Sequence, residues 1–167
     1  MKQIRIRDKI LDEKSRPFIV AEAGVNYEND MAVAKRMIDE AASARADAIK
    51  FQTYKAEKIA SRNSTAYWET NETQYAYFKK YDKFSEKEFR ELAEYAEDKH
   101  IIFMSTPFDF NAVDFLDELV PVFKISSSDI TNIPFIRYVA RKNKPIFLST
   151  GASTIGEIED ALNAIEA

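Results

Sequence analysis

Five short apolar runs, each turning polar as it ends, constrain this chain more than anything else in it. In Asp47-Ala48-Ile49-Lys50-Phe51-Gln52-Thr53, Ile49 and Phe51 fall on one face of a strand and Lys50 and Gln52 on the other, because side chains alternate along a strand. The run from Phe18 to Gly24 carries Glu22 near its end. The run from Ile101 to Pro107 carries Ser105 and Thr106. The run from Val122 carries Lys124 and then Ser126, Ser127 and Ser128, and the run from Ile146 carries Ser149 and Thr150. Between the runs, apolar residues recur at helical spacing, as in Ala34, Met37, Ile38 and Ala41, or Phe89, Leu92, Ala93 and Ala96. Strands alternating with helices specify βα units and a parallel sheet.

Two parallel architectures compete. A doubly wound dinucleotide fold is disfavoured, since no Gly-x-Gly-x-x-Gly follows any run. Polar groups at the ends of all five strands fit a TIM-type β/α barrel, where chemistry gathers at the C-terminal ends of many strands. A complete barrel needs about eight units and roughly 250 residues. This chain has 167 and supplies five units, so the expected fold is an incomplete barrel. Alternation over residues 2–16 (Ile4, Ile6, Ile10, Leu11 among charges) predicts a hairpin ahead of the first core strand. Asp30 is placed to cap a helix from Met31 to about Ala44. Ser85 with Glu88, and Thr154 with Glu157, have the spacing of capping boxes. Short helices are expected over 111–118 and 134–141. Residues 54–84 read as one long aromatic-rich connection.

Net charge is −4, there is no cysteine, and no apolar stretch reaches the roughly 18 residues of a membrane span. Together with the polar start of the chain, these favour a cytoplasmic globular protein of one domain, 1–167, with no nucleic-acid or membrane partner.

Lys50 and Lys124 carry the sharpest chemistry. An ammonium inside a barrel needs an anion, because burying it alone is costly. Ringed by Thr106, Ser127 and Ser149, the two lysines would cradle a phosphate or carboxylate. The alternative is that one of them simply pairs with Glu22. Counting two lysines against one evident strand-end carboxylate leaves a positive charge over. Glu22 is the candidate acid or base, or else half of a structural ion pair. Gln52 would hold a polar substrate, or is a satisfied buried amide. The aromatics of 67–84 read as packing rather than a sugar platform. His100, the one histidine, precedes the third strand and reads as a helix-terminal residue.

Taken in order, Ala21-Glu22-Ala23-Gly24-Val25-Asn26, Ile49-Lys50-Phe51-Gln52-Thr53, Ser105-Thr106-Pro107-Phe108-Asp109, Phe123-Lys124-Ile125-Ser126-Ser127 and Leu148-Ser149-Thr150-Gly151 resemble the sialic acid synthase (N-acetylneuraminate synthase) family. The resemblance runs from about residue 3 to the last residue. It implies a transferase that condenses phosphoenolpyruvate with an N-acetylated amino sugar such as N-acetylmannosamine, giving a sialic-type nonulosonic acid and phosphate. By the same resemblance Lys50, Thr106, Lys124, Ser127 and Ser149 would bind phosphoenolpyruvate. Gln52 and Asn71 would meet the amino sugar, and Glu22 would be catalytic. A divalent metal, manganese or magnesium, is implied for the complete enzyme, with histidine ligands from later strands that this chain lacks. An antifreeze-like C-terminal domain and a homodimer are implied as well, and the domain is not in this sequence.

The chain departs from the family pattern. Tyr27-Glu28-Asn29 stands where His-Asn-Gly is usual, and Arg45, His100 and Ser128 stand where glycine is usual. Glycine suits backbone of positive φ, so strain is expected at these positions. Two other readings compete with a sialic-type synthase: another phosphoenolpyruvate-condensing 3-deoxy sugar acid synthase, and a non-catalytic half-barrel. If the family order holds, the outer edges of the first and fifth core strands lie unpaired and the chain is expected to self-associate or to be only partly folded, and the chain alone is expected to be inactive.

Overall fold

The structure, a computed structural model, describes residues 3–66 and 71–166. A hairpin of β1 (Ile4–Ile6) and β2 (Lys9–Leu11) opens the chain. The core strands follow: β3 (Val20–Gly24), β4 (Ala48–Thr53), β5 (Ile102–Pro107), β6 (Phe123–Ile125) and β7 (Ile146–Leu148). Helices come between and after them: α1 (Met31–Ser43), α2 (Ala56–Ile59), α3 (Gln74–Tyr81), α4 (Glu86–Asp98), α5 (Phe110–Asp117), α6 (Ile133–Ala140) and α7 (Ile155–Glu166). Strands β3, β4 and β5 form one parallel ladder and β6 and β7 another. Strand β5 lies beside β6, with no ladder joining them. This is a β/α array of TIM-barrel type whose barrel is not closed.

Strand alternation splits the core in two. Ile49, Phe51, Phe103, Phe123 and Ile125 point outward and are buried beneath the helices with Ile38, Leu92, Leu116 and Ile136. The inward face is apolar only at its N-terminal end, where Ala48, Ile102, Met104 and Val122 pack against Ile6 of the hairpin. The hairpin therefore plugs the bottom of the sheet. It is fastened by Asp47, whose buried carboxylate takes Arg16 at 2.8 Å, Lys9 at 3.0 Å and the Ile19 N–H at 2.8 Å. The polar side chains of the inward face are left at the other end.

Local chemistry sets the helix ends as the sequence suggests. Asp30 accepts from the Ala32 and Val33 N–H groups. Ser85 with Glu88 and Thr154 with Glu157 bond reciprocally. The long connection over 54–84, for which no element was expected, contains α2 and α3. Thr73 caps α3, and Tyr77, Phe78 and Tyr81 pack edge to face along it. Tyr67 and Trp68 lie outside the described residues.

Arg45 and His100 take φ of 60° and 57°. Both end a helix in the same hydrogen-bond pattern. Arg45 N–H bonds Ala42 O and Ala46 N–H bonds Ala41 O; His100 N–H bonds Glu97 O and Ile101 N–H bonds Ala96 O. This is the Schellman ending that favours glycine. Asn29 is also left-handed, at 62°. Ser128 is not. It lies in a 3-10 turn, Ser127–Asp129, so the strain expected there is absent.

Candidate functional site

All five core strands are parallel, so their C-terminal ends share one side of the sheet, and the polar residues gather there. Lys50 is central. Its side chain is 12% exposed, its ammonium contacts the Glu22 carboxylate, and it lies 3.5 Å from Thr106 Oγ1. Register explains the meeting, since Glu22 pairs with Lys50 across β3 and β4, and Gln52 with Thr106 across β4 and β5. At Ala23 the β3–β4 register shifts, with Glu22 opposite Lys50 and Gly24 opposite Phe51. Such a bulge re-aims the residues around it.

Gly24 follows at φ +57°. A Cβ placed there would lie 3.6 Å from Glu22 Oε1, 3.9 Å from Asn26 Nδ2 and 4.0 Å from Gln52 Nε2. Those three polar tips thus converge on one point, and the positive φ there favours glycine. At the far strands a Cβ on Gly151 would lie 3.4 Å from Ser127 Oγ.

Lys124 sits across the sheet, its ammonium donating to Ile125 O at 3.0 Å. Burial lowers its pKa, the Lys50 charge lowers it further, and Glu22 and Asp129 act in the opposite sense. Asp129 is the complement. Burial raises its pKa against a hydrogen bond from Ser128 and the charge of Lys124, and its Oδ2 is buried with no hydrogen-bond partner. The charge balance therefore corrects the count made from sequence. Two carboxylates, not one, face the two ammoniums, and the Lys50–Glu22 pair forms. What remains is a group of partly buried charges with Glu22 exposed at its edge and one buried Asp129 oxygen without a hydrogen-bond partner.

The other expected residues are placed less tightly. Thr106 is buried. Ser127 opens the 3-10 turn that carries Asp129. Ser149 is half-buried, its N–H on Ile125 O at 3.1 Å. Asn71 is exposed ahead of α3, and no hydrogen bond or ion pair joins it to Glu22, Lys50 or Gln52. His100 is exposed at the start of β5, at the opposite end of the sheet. Asn26 and Asp129 were not singled out from sequence. Asn26 was visible in the Ala21–Asn26 run. Asp129 comes within the field of Lys124 through a 3-10 turn that a run of serines does not reveal.

No group of three or more histidine, cysteine, aspartate or glutamate side chains is gathered among the described residues in a way that would hold a metal ion. Glu22 is engaged by Lys50 and Asp129 faces Lys124. The described residues thus do not fit a metal centre, and no chemical step is routed through one. Nor is any helix among them long and apolar enough to cross a membrane.

Comparison with known proteins agrees with this arrangement. Residues 37–167 match the NeuB family. The chain is 41% identical over 157 residues to the N,N'-diacetyllegionaminic acid synthase of Campylobacter jejuni, covering 90% of this chain and 47% of that protein. It is 36% identical over 155 residues to the human N-acetylneuraminate-9-phosphate synthase, covering 89% of this chain and 43% of that protein. The crystal structure of the N-acetylneuraminic acid (sialic acid) synthetase of Leptospira borgpetersenii, in complex with citrate, superposes with a TM-score of 0.89. The identity is 36%, over 99% of this chain and 55% of that one. The chain spans about half the length of these proteins. With the barrel-type sheet, the strand-end charges and a family match over most of its length, the chain belongs to the NeuB family of sugar acid synthases.

Proposed function

We propose that this chain carries the phosphoenolpyruvate half of a nonulosonic acid synthase active site. The complete enzyme would condense phosphoenolpyruvate with an N-acetylated amino sugar, N-acetylmannosamine or a relative, to a nine-carbon sugar acid and phosphate. The observation that supports this most is the pair Lys50 and Lys124. They are half-buried at the ends of β4 and β6, close enough for one charge to depress the other's pKa. A multiply charged anion relieves that repulsion and takes up both ammoniums. Thr106, Ser127 and Ser149 supply neutral donors around it. Glu22, Gln52 and Asn26, converging beside Gly24, form a neighbouring polar corner suited to a polyol, and Glu22 is the group there able to move a proton. Asn71 enters only if the connection bearing it folds over this corner. The chain acts in cytoplasm, where both substrates are metabolites, and the complete enzyme works as a homodimer with a divalent metal held by residues other than those described.

The test is phosphate release from phosphoenolpyruvate with N-acetylmannosamine and manganese, with the sugar acid identified by mass. It is run on this chain and on a version extended through a complete NeuB-type barrel and tail. Turnover is expected only from the extended version. Release without sugar acid, or turnover only with a phosphorylated pentose or tetrose as acceptor, would refute the proposal.

A further inference from the structure

On the helix side of the sheet a cavity of about 180 Å³ opens between the start of the α2–α3 connection and the N-terminal ends of α4 and α5. The strands beneath it, β4 and β5, have neighbours on both sides. Tyr54, Phe84, Phe89, Ala112 and Phe115 wall it, and all five are buried. Phe89 meets Phe84 at 5.9 Å and Phe115 at 6.4 Å between ring centres. One buried polar side chain stands in this lining. Thr53 Oγ1 lies 2.7 Å from Ser105 Oγ, and both residues are at least nine-tenths buried. Two hydroxyls carry two hydrogens, and their shared bond uses one. Neither has another hydrogen-bond partner among the described residues. One buried O–H is therefore short of an acceptor, a state that folded proteins avoid.

The rim is charged but balanced. Lys55 and Lys58 stand against Glu86 and Asp109. Lys55 already donates to Asp82 O and Phe84 O at 2.7 and 2.9 Å, and Asp109 already accepts from Ala112 N–H at 2.9 Å. Two ammoniums and two carboxylates select no ion, so the rim suits a neutral ligand. Size narrows the choice, since an apolar cavity of roughly 150 Å³ takes up benzene. Aromatic walls favour edge-to-face or offset contact with another ring. We infer that this cavity binds a small neutral molecule made of one aromatic ring bearing a hydroxyl or ether oxygen. The ring lies among Phe84, Phe89 and Phe115, and the oxygen accepts the spare hydrogen of the Thr53–Ser105 pair. Water alone would satisfy that hydrogen but leave the aromatic walls wet. The occupant touches the root of the α2–α3 connection on one side and α4 and α5 on the other. Binding therefore fastens the connection, and Asn71 with it, to the helix layer. The site is separate from the strand-end charges and does not depend on the proposed activity.

Titration of phenol and of benzene into the isotope-labelled chain, followed by NMR, tests it. Saturable shifts are expected at Phe84, Phe89, Ala112 and Phe115. Phenol should bind about fivefold tighter than benzene, the worth of one net hydrogen bond. Thr53→Val combined with Ser105→Ala removes both hydroxyls together, which leaves neither one unpaired and so spares the fold. That double variant should bind benzene as the wild type does and lose the preference for phenol. Anisole, which accepts a hydrogen bond but donates none, should keep a like preference over ethylbenzene in the wild type. This second comparison decides the matter if the double variant does not fold. Saturating phenol should also slow hydrogen exchange over residues 56–66 and 71–81. Shifts that do not saturate, equal affinity for phenol and benzene, a preference that survives the double variant, or anisole no better than ethylbenzene would overturn the inference and leave water as the occupant. Unchanged exchange over the connection would overturn the fastening.

Discussion

Three residues show how single positions set stability here. Arg45 and His100 occupy left-handed backbone at helix ends, which costs an L-residue roughly 1–2 kcal/mol. Replacing either with glycine should stabilise the fold by about 1 kcal/mol in urea unfolding, since glycine's own entropic cost offsets part of the gain. Ser128→Gly is the control. Its φ is not positive, so it should gain nothing, and equal gains at all three sites would contradict the reading. Asp47 works through charge. Burial alone would push its carboxyl up, but Arg16, the Ile19 N–H and Lys9 more than offset this and hold it at about 2. The folded pKa lies below the unfolded one, near 3.9. The stabilisation is therefore complete above about pH 4 and is lost as pH falls through about 2, and it amounts to about 2 kcal/mol. Asp47→Asn should lower stability by about that much near neutral pH, with the gap from wild type closing towards about pH 2. A gap independent of pH would mean that packing, not charge, fastens the hairpin.

Among the elements, helix ends were the most legible in the sequence, because caps are local chemistry. Asp30, Ser85 and Thr154 name their own helices. The five strands were legible because apolar runs with polar ends have few other uses, and parallel order then brings distant polar residues to one side. The α2–α3 connection was not legible. Its aromatics follow no single stripe, although Thr73 ahead of Tyr77 and Tyr81 was a usable signal. What holds this connection is long-range. Asn29 donates to Lys80 O at 2.7 Å and accepts from Lys83 N–H at 3.0 Å. Lys55 donates to Asp82 O and Phe84 O, and the buried Asp82 carboxylate accepts from Ala56 N–H at 3.0 Å and meets Lys79 at 3.1 Å. Asp82→Ala leaves the Ala56 donor buried and unpaired, at a cost of about 1–3 kcal/mol. Faster hydrogen exchange is expected over residues 56–66 and 71–81, with α1 and α4 to α7 unchanged. Uniform acceleration across the chain would show that the connection is not an independent unit.

For the whole molecule, topology decides what the site can be. A plugged bottom and an open, polar top give a sheet that binds at one side only. Charges at an unclosed sheet face water, which weakens them, so a single substrate anion is held less tightly here than in a closed barrel. The sequence revealed which strand ends carry charge but not how the charges are arranged, because the Lys50–Glu22 pair depends on register and the placing of Asp129 within the field of Lys124 on a turn. The central claim is that Lys50 and Lys124 together form the anion site. Calorimetric titration of phosphoenolpyruvate into this chain tests it directly, with Lys50→Ala and Lys124→Ala run alongside. Each substitution should weaken binding by about ten- to hundredfold, the equivalent of about 1.5–3 kcal/mol for a charged hydrogen bond. Unchanged affinity in both variants would contradict the claim and move the anion site elsewhere.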